Sequence, residues 1–475
     1  MRPNVAITYN EESRYPSDKF AYSPSKRYPE YPFESEISGE DNMVYDMVRN
    51  TLYEMGYDKE NFGTKSWNPF KGIIKHGNKV LIKPNWVMNF NKAIENQKDL
   101  SALVTHPSVI RVIADYVYIA LNGSGKIYIA DAPMQECCIE EIFENAGYEA
   151  LFEFWKKNIE EIEIRDLRHY STIIDNNVIV EKKDNDYNES VTVNLASKSY
   201  HNIGAKGNEK YKVSQYLEKE TQSYHNANMH KYVVNKLVLD VDVIINVPKP
   251  KCHRLAGMTA ALKNMVGIIY DKNSLPHRKI GSPKEGGDSY EKSNFFKRCM
   301  ENADEKKTRN SLGGHYTIAQ IYSFFEKVFY VLGSTMSRDK ARVGGWYGND
   351  TIWRTILDLN TIINYSDENG VIHNEKQRKM ITIGDMIICG QKNGPITPIP
   401  KYLGMIMISE NSFDFDSVMC KMMGFDYSLI RYITKYAINN ENRIDIIING
   451  EIFKLMNFQI KKKWNFVPHE MWKKE

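Results

Sequence analysis

Three stretches of the sequence place polar side chains directly after short runs of apolar residues. The run KVLI is followed by Lys83 and Asn85, the run KIYIA by Asp131, and the run DVIINV by the segment PKPKCH. In open α/β sheets, ligands bind at the carboxyl ends of the strands, so these residues are candidates for a binding or catalytic site. If the three strands are neighbours, their side chains converge on one crevice.

The third stretch continues as KPKCHRLAGMTAALKNMVG and contains the largest number of candidate groups. Lys249, Lys251 and His253 alternate, so they share one face of an extended chain. Thr259 and Lys263 are four residues apart, so they share one side of a helix. A group of cations beside a glycine and a helix N-terminus suits a phosphate or carboxylate ligand. A solvated basic loop is the competing interpretation.

Lys263 and His253 are the residues in this stretch that are best suited to catalysis. Lys263 lies among apolar neighbours, and desolvation would lower its pKa into the range of a general base or a Schiff-base lysine. Alternatively, its stem packs while its ammonium reaches water. His253 suits a general acid or base, a metal ligand, or a structural histidine, and the sequence leaves these roles open.

Three aspartates occupy predicted strand ends or helix starts. Asp416 precedes an apolar helix and is predicted to be its N-cap. Asp131 precedes Ala-Pro and could hold a lysine or a ribose hydroxyl. A divalent ion held by Asp131 or Asp385 together with substrate phosphates stays open. The GQKNGP loop around Gly394 could cradle a phosphate or be a simple turn, but it lacks the lysine of a Walker site.

Composition excludes several classes of protein. The 475 residues include 63 Lys and Arg against 60 Asp and Glu, a net charge of +3, which argues against a dedicated nucleic-acid binder. Six scattered cysteines without a C-x-x-C pattern predict neither a disulfide scaffold nor a ferredoxin-type iron–sulfur site. No apolar run approaches 18 residues and no secretory signal is present, so we expect a cytoplasmic protein.

The elements that must position these residues alternate between strands and helices along the chain. This alternation predicts an α/β fold with a mostly parallel sheet layered with helices, in two lobes with a cleft between them. We expect an irregular Tyr/Pro-rich arm at 1–41 that packs on the body. A first lobe at 42–270 contains a β insertion at 178–217, a flexible loop covers 271–308, and a second lobe covers 309–475.

The ordered strings VLIKPN, THP, IADAP, INVPKPKCHRLAGMTAALKNMVG and TIGDMIICGQKNGP resemble the domain-of-unknown-function 362 family over residues 83–426. Pro250 and Cys252 stand where that family more often has Leu and Thr, and the iron–sulfur cassette of many members is missing. The resemblance implies a cytoplasmic α/β protein whose reaction is not settled. The family's recurring residues fall here on Lys83, Asn85, His106, Asp131, Lys249, Lys251, His253, Thr259, Lys263, Asn264, Asp385, Gly394, Pro395 and Asp416.

The leading hypothesis is an enzyme whose cationic crevice binds an anionic metabolite, such as a phosphorylated or nucleotide-linked sugar. Its lysines would neutralise charge, and His253 or His106 would move protons. The Tyr/Pro-rich start and the GNDTIWR stretch resemble members encoded beside surface-polysaccharide genes. The alternative is a binding or redox-partner protein related to the iron–sulfur members, and an analogy to lactate-racemase-like folds is a third idea. Cofactor need, a divalent metal and homo-oligomerisation stay open.

Overall fold

The structure of the chain is a computed structural model that describes residues 2–33, 37–185, 189–227 and 229–472. The strands in these residues are β1 (Val5–Tyr9), β2 (Lys79–Lys83), β3 (Lys126–Asp131), β4 (Ile162–Asp166), β5 (Tyr170–Asp175), β6 (Val178–Asp184), β7 (Ser190–Asn194), β8 (Tyr211–Lys212), β9 (His225–Asn226), β10 (Met229–Asn235), β11 (Val243–Asn246), β12 (Lys251–His253), β13 (Gly257–Thr259), β14 (Ile269–Asp271), β15 (Arg278–Lys279), β16 (Lys379–Gln391), β17 (Ile399–Ser409), β18 (Asp445–Ile448) and β19 (Glu451–Lys454). The α-helices are α1 (Met43–Glu54), α2 (Pro107–Leu121), α3 (Ile139–Ala146), α4 (Tyr148–Asn158), α5 (Glu218–Tyr224), α6 (Leu237–Asp240), α7 (Ala261–Asn264), α8 (Phe295–Leu312), α9 (Tyr316–Ser337), α10 (Ile352–Tyr365), α11 (Ser412–Met422) and α12 (Arg431–Asn440).

An eleven-stranded sheet forms the centre of the molecule. Its order is β19-β18-β1-β17-β16-β11-β2-β3-β4, with β12 and β13 joined at the side of β16. The strands from β16 to β4 in this order are parallel to one another, whereas β17 runs antiparallel to β16 and β1. This arrangement confirms the predicted α/β class and its mostly parallel sheet.

Helices cover both faces of the sheet because successive residues of its buried strands point to opposite sides. In β2, Val80 and Ile82 belong to the apolar core that contains α1 and α2. Leu81, between them, packs into the core on the other face, together with Ile362 of α10. The fold is therefore layered as helix, sheet and helix, and the carboxyl ends of β2, β3 and β11 lie at one edge.

The N-terminal arm takes part in the sheet rather than being irregular throughout. Residues Val5–Tyr9 form β1, which lies between β17 and β18, because VAITY is an apolar run that two neighbouring strands bury. The rest of the arm packs on the body through buried aromatic side chains such as Tyr22, Tyr28 and Tyr31. Strands β11 and β16, from the two predicted lobes, pair directly in this one sheet. The division into two lobes with a cleft stays a prediction.

Two inserted segments differ from the regular alternation. The predicted β insertion at 178–217 contributes β6, β7 and β8 to antiparallel pairs, although residues 186–188 lie outside the described residues. The segment 271–308, predicted to be a flexible loop, is helical from Phe295 onward, so that prediction is wrong there. The side chain of Asn294 caps this helix, α8, by accepting the N–H of Lys297. The mixed polar sequence of α8 has little apolar periodicity, which hid it from sequence analysis.

No helix in the described part of the chain is long and apolar enough to cross a membrane.

Candidate functional site

Lys83 and Asp131 form a buried ion pair at the carboxyl ends of β2 and β3. Lys83 Nζ lies 2.7 Å from Asp131 Oδ1, and Asp131 Oδ2 accepts the N–H of Trp86 at 2.6 Å. Burial lowers the pKa of Lys83 and raises that of Asp131, while their mutual attraction opposes both shifts. Gly267 permits this contact, since a Cβ there would lie 1.9 Å from Asp131 Oδ1. Of the two contacts that the sequence leaves open for Asp131, a lysine or a ribose hydroxyl, the structure shows the lysine.

A second buried ion pair joins Lys249 to Asp385 of β16. Lys249 Nζ lies 2.7 Å from Asp385 Oδ2, and the hydroxyl of Tyr15 donates to Asp385 Oδ1 at 2.6 Å. Asp385 Oδ2 also accepts the backbone N–H of His106 at 2.8 Å. Both oxygens of Asp385 are therefore engaged. Asp385 neutralises Lys249, and its hydrogen bond from Tyr15 fixes the N-terminal arm to the sheet.

His106 is held in place by contacts that favour a structural role. It is the N-cap of α2, where its Nδ1 accepts the N–H of Ser108. Its ring stacks on Tyr15 with 3.8 Å between the ring centroids, and Tyr22 packs against it edge-on. Burial, and then the positive charge of Lys249, lowers the pKa of His106 well below its usual value. His106 is therefore neutral and packed in the structure.

The hydrogen-bond partners of the Lys251 ammonium among the described residues are neutral. Its Nζ donates to Asn85 Oδ1 at 2.6 Å and to the carbonyl oxygen of Leu103. Burial lowers its pKa well below the usual lysine value, and the positive charges of Lys249 and Lys263 lower it further. Thus Lys251 lies within electrostatic range of Lys249 and Lys263, while among the described residues Lys83 and Lys249 are the two of these lysines paired with carboxylates.

Two further predicted residues present unused polar atoms. Asn264 Nδ2 donates to Asn246 Oδ1 at 2.7 Å, while its own Oδ1 is buried without a hydrogen-bond partner among the described residues. The hydroxyl of Thr259 is likewise buried without a described partner. Thr259 ends β13 opposite Lys251, so the prediction that it lies on a helix with Lys263 is wrong: helix α7 begins only at Ala261. Unused buried polar atoms are candidates for ligand contacts.

Asp416 does not cap its own helix, contrary to the prediction. Asn411 is the N-cap of α11, and it accepts the N–H of Phe413. Asp416 lies one turn further on and accepts the N–H groups of Ala261 and Leu262, at 2.6 and 3.1 Å. Burial raises the pKa of Asp416 to about 8. Asp416 therefore secures the start of α7, the short helix that carries Lys263 and Asn264.

Gly394 and the GQKNGP loop pack against the end of β12. The carbonyl oxygen of Gly394 accepts the N–H of Arg254 at 3.0 Å, and a Cβ on Gly394 would lie 1.9 Å from the carbonyl oxygen of Cys252. Only glycine fits this approach of two backbones. The loop thus supports the chain immediately after His253.

The side chains of Lys263 and Arg254 are cations that make no hydrogen bond or ion pair with the described residues. The ammonium of Lys263 makes no hydrogen bond or ion pair with any described residue, although the residue is only 8% exposed. Burial lowers its pKa to about 8. The guanidinium of Arg254 is partly buried and also lacks a described hydrogen-bond partner, and burial followed by the charge of Arg342 lowers its pKa. Such uncompensated charge is costly inside a protein.

Two neutral histidines with opposite tautomers accompany these cations. His253 Nδ1 accepts the N–H groups of Leu255 and Ala256, so the proton of its neutral ring lies on Nε2. His277 Nδ1 lies 2.8 Å from the carbonyl oxygen of Leu275, so it carries the proton and leaves Nε2 as an acceptor. Burial and the charge of Lys263 lower the pKa of His253 well below its usual value and that of His277 to about 3.

We call Lys263, Arg254, His253 and His277 the Lys263 cluster. Sequence analysis missed two of its members. Arg254 directly follows the PKPKCH segment, so its position was the available signal. His277 belongs to the segment that was predicted to be a loop, and only the basic run His-Arg-Lys marked it. Asn349, from the GNDTIWR stretch, donates to the carbonyl oxygen of His277 at 3.0 Å and holds it in place.

The carboxylates proposed for a divalent ion are not free to form a protein cage. Asp131 and Asp385 each accept hydrogen bonds from a lysine and from a backbone N–H. Within residues 2–33, 37–185, 189–227 and 229–472, no group of three or more His, Cys, Asp or Glu side chains is placed to hold a metal ion. These aspartates therefore do not fit a resident metal.

A second cluster contains three buried histidines, His201, His225 and His230. His225 Nδ1 lies 3.3 Å from His230 Nδ1, and the rings of His201 and His230 stack with centroids 5.2 Å apart. His225 Nε2 donates to the carbonyl oxygen of Ser274, so its Nδ1 accepts from His230. Burial lowers the pKa of His225 to about 3 and that of His230 to about 4. The cluster is neutral and packed, with no described carboxylate in hydrogen-bond contact.

This cluster predicts acid sensitivity. Between pH 6.5 and about 4, His225 and His230 bind protons in the unfolded chain but stay neutral in the folded protein. The free energy of unfolding therefore falls as the pH falls. Each histidine contributes up to about 1.4 kcal/mol per pH unit. We expect His230→Gln to show a shallower loss in urea unfolding across this range. The control is His76→Gln at an exposed position, and equal slopes for His230→Gln and the wild type would contradict the assignment.

Comparisons with known proteins agree with the resemblance over residues 83–426. The family model described as "Domain of unknown function (DUF362)" matches residues 80–183 and 172–421. No curated protein matches the chain. Among solved structures, the lactate racemase apoprotein from Thermoanaerobacterium thermosaccharolyticum is similar at 11% identity over 78% of this chain, with a TM-score of 0.27. The chain spans about half of that protein, 52% of its length.

Proposed function

The chain belongs to the DUF362 family, as its sequence predicted, and we propose that it is an enzyme that binds an anionic metabolite at the Lys263 cluster. One observation carries this proposal: Lys263 and Arg254 are cations without described partners, set beside two neutral histidines. A protein that buries uncompensated charge loses stability, and such sites are enriched in binding and catalytic roles. A bound anion would supply the missing counter-charge.

Each member of the cluster has a role that follows from its protonation state. Arg254 offers the planar donor fork that suits a phosphate or carboxylate. Lys263, with its pKa lowered to about 8, neutralises charge when protonated and is a general base when neutral. His253 donates from Nε2, and His277 accepts at Nε2, so the pair suits a substrate hydroxyl that both gives and receives a hydrogen bond.

The substrate class we propose is a phosphorylated or nucleotide-linked sugar in cell-surface polysaccharide biosynthesis, handled in the cytoplasm. Thr259 pairs with Lys251 between β12 and β13, and Asn264 directly follows Lys263. The unused Thr259 hydroxyl and Asn264 Oδ1 would suit sugar hydroxyls. All six cysteines are free thiols, in keeping with a reducing compartment. A divalent cation would enter with the substrate phosphates, because Asp131 and Asp385 already accept hydrogen bonds from lysines.

Ligand binding by the full chain tests this proposal. Calorimetric titration with UDP-glucose and with inorganic pyrophosphate, each with Mg²⁺, is expected to give binding that Lys263→Met and Arg254→Met weaken by at least about tenfold. A charged hydrogen bond contributes about 1.5–3 kcal/mol, which corresponds to this loss. The matched control is Lys435→Met, which removes an exposed lysine from α12.

Two outcomes would contradict the proposal in different ways. If both cluster variants bind with wild-type affinity, the ligand does not occupy the Lys263 cluster. If the wild type binds a ligand but leaves it chemically unchanged after prolonged incubation, as judged by chromatography, the protein is a binding module instead. The second result would favour the alternative of a binding or redox-partner protein.

A further inference from the structure

Helix α9 is unusual because most of its surface is exposed although its sequence is apolar. Among its 22 residues, only Ala319, Ser323 and Gly333 are buried, and they lie where the helix packs against α8. Helices α8 and α9 form an antiparallel hairpin, with Asn294 of the α8 N-cap donating to the carbonyl oxygen of Gly333. Phe329 and Tyr330 pack beside the small core that contains Met300 and Trp346, whereas the exposed apolar side chains of α9 are not explained by packing within the described chain.

These side chains form one continuous face. At 100° per residue they fall within an arc of about 140°, on the side of the helix away from α8. Glu326 and Lys327, the charged residues of this helix, fall outside the arc. The exposed fractions range from 42% to 67%. We call the α9 face the set Ile318, Ile321, Phe324, Phe325, Val331, Leu332 and Met336.

We propose that the α9 face is an interface between two copies of the chain, in which the two α9 helices pack against each other and each α8 lies on the outer side. Seven large side chains, each about half exposed, offer on the order of 500–900 Å² of apolar surface per copy, and a stable interface needs about 800 Å². Apolar patches of this size are rare on monomers.

The distribution of residues along α9 is self-complementary, as a twofold interface requires. In an antiparallel pair centred near residue 327, Ile318 of one copy lies opposite Met336 of the other. The bulky Phe324 then meets the smaller Val331, so large and small side chains alternate across the contact. Because the arc contains no charge, pairing it with a second copy leaves no buried charge unpaired.

A membrane surface fits the α9 face less well. Helices that lie in a membrane interface are rich in Lys and Arg on the polar side, which attract anionic lipid. Helix α9 contains a single lysine, Lys327, and a single glutamate, Glu326, so it carries no net charge. Its polar side is in addition packed against α8 rather than open to lipid headgroups. A second copy of the chain therefore fits the α9 face better than a membrane does, independently of the proposed enzymatic function.

Sedimentation velocity of the full chain tests this interface. The wild type is expected to sediment as a dimer at about 10 µM, twice its mass of 55.2 kDa. Phe324→Glu and Val331→Glu, at exposed positions, are expected to give monomers of unchanged circular dichroism and melting temperature. Their dimer dissociation constants should rise at least about thirtyfold, as for residues at an interface centre. The matched control, Lys327→Glu on the same helix but off the face, should remain dimeric.

A monomeric wild type at about 50 µM would overturn the proposal. So would dimers that persist in both Phe324→Glu and Val331→Glu, because the contact would then lie elsewhere. Flotation with vesicles of phosphatidylcholine alone and with added phosphatidylserine tests whether the α9 face binds a lipid surface instead. If the wild type is monomeric and binds vesicles, and Phe324→Glu abolishes this binding, then the α9 face binds a lipid surface and not a second copy.

Discussion

Replacing Lys249 by methionine is expected to lower the free energy of unfolding by about 3–5 kcal/mol, the cost of removing one partner of a buried ion pair. The Lys249 ammonium and the Asp385 carboxylate are both fully buried, 2.7 Å apart. Methionine fills most of the space of the lysine stem but leaves the Asp385 charge without a cation. The hydrogen bonds from Tyr15 and His106 remain, and they compensate only part of that charge.

Urea unfolding at pH 7 measures this loss, and the chain offers a matched control. Lys236 is paired with Glu189 at 2.6 Å, almost the same distance, but its side chain is 49% exposed. Lys236→Met should change the free energy of unfolding by less than about 1 kcal/mol, as is typical of exposed ion pairs. The two variants make the same chemical change and differ mainly in burial. Equal losses would show that Asp385 is compensated by other groups.

The central sheet could be predicted from the sequence because its strands are short apolar runs that end close to residues that interrupt a strand. KVLI is followed by Lys83 and Pro84, KIYIA by Asp131, and DVIINV by Pro248. The helix between the first two begins at Pro107 and is followed by Gly123. Burial on both faces removes the alternation that would otherwise suggest an exposed sheet. The α8 helix could not be predicted, because its packing face includes Lys297, Glu301 and Lys307, whose charges are paired only in three dimensions.

The position of the candidate site could be predicted because ligands bind at strand ends in α/β sheets. Which of its charges are neutralised could not be predicted. Lys83 and Asp131 were both selected, yet nothing in the sequence showed that they neutralise each other. Lys249 and Asp385 are more than a hundred residues apart, and their pairing depends on β11 and β16 being neighbours. Sequence patterns report local periodicity, whereas the charge left over in a site depends on long-range contacts. For this reason the sequence predicts Lys263 as a site residue but does not show that its charge has no partner among the described residues.

The buried ion pairs should raise the free energy of unfolding, whereas the charge of Lys263 should lower it. This difference distinguishes residues that support the fold from residues kept for function. Lys83 and Lys249 are compensated, so their removal should damage the fold. Lys263 is not compensated, so its charge should reduce stability in the free protein. Natural proteins keep such destabilising groups where binding or catalysis requires them. Lys249, which is paired with a carboxylate, and Lys263, which has no described partner, should thus respond oppositely to the same substitution.

Lys263→Met is expected to raise the free energy of unfolding by about 2–3 kcal/mol at pH 7, because methionine needs no counter-charge in a buried position. The pKa of Lys263 is about 8 in the folded protein and 10.5 as the ordinary value. Between these values the unfolded chain binds the additional proton, so the stability of the wild type rises with pH in this window. The advantage of Lys263→Met should therefore be full below pH 8 and shrink towards pH 10.5.

Urea unfolding of the wild type and Lys263→Met at pH 7 and pH 10 checks both the sign and the pH dependence. Lys435→Met, at an exposed position of α12, should change the free energy of unfolding by less than about 0.5 kcal/mol at either pH. A loss of stability in Lys263→Met, or a gain that is the same at both pH values, would mean that an unrecognised partner compensates the ammonium. A gain that disappears at high pH, together with weaker binding of the anionic ligand, would identify Lys263 as a cation kept for its substrate at the expense of stability.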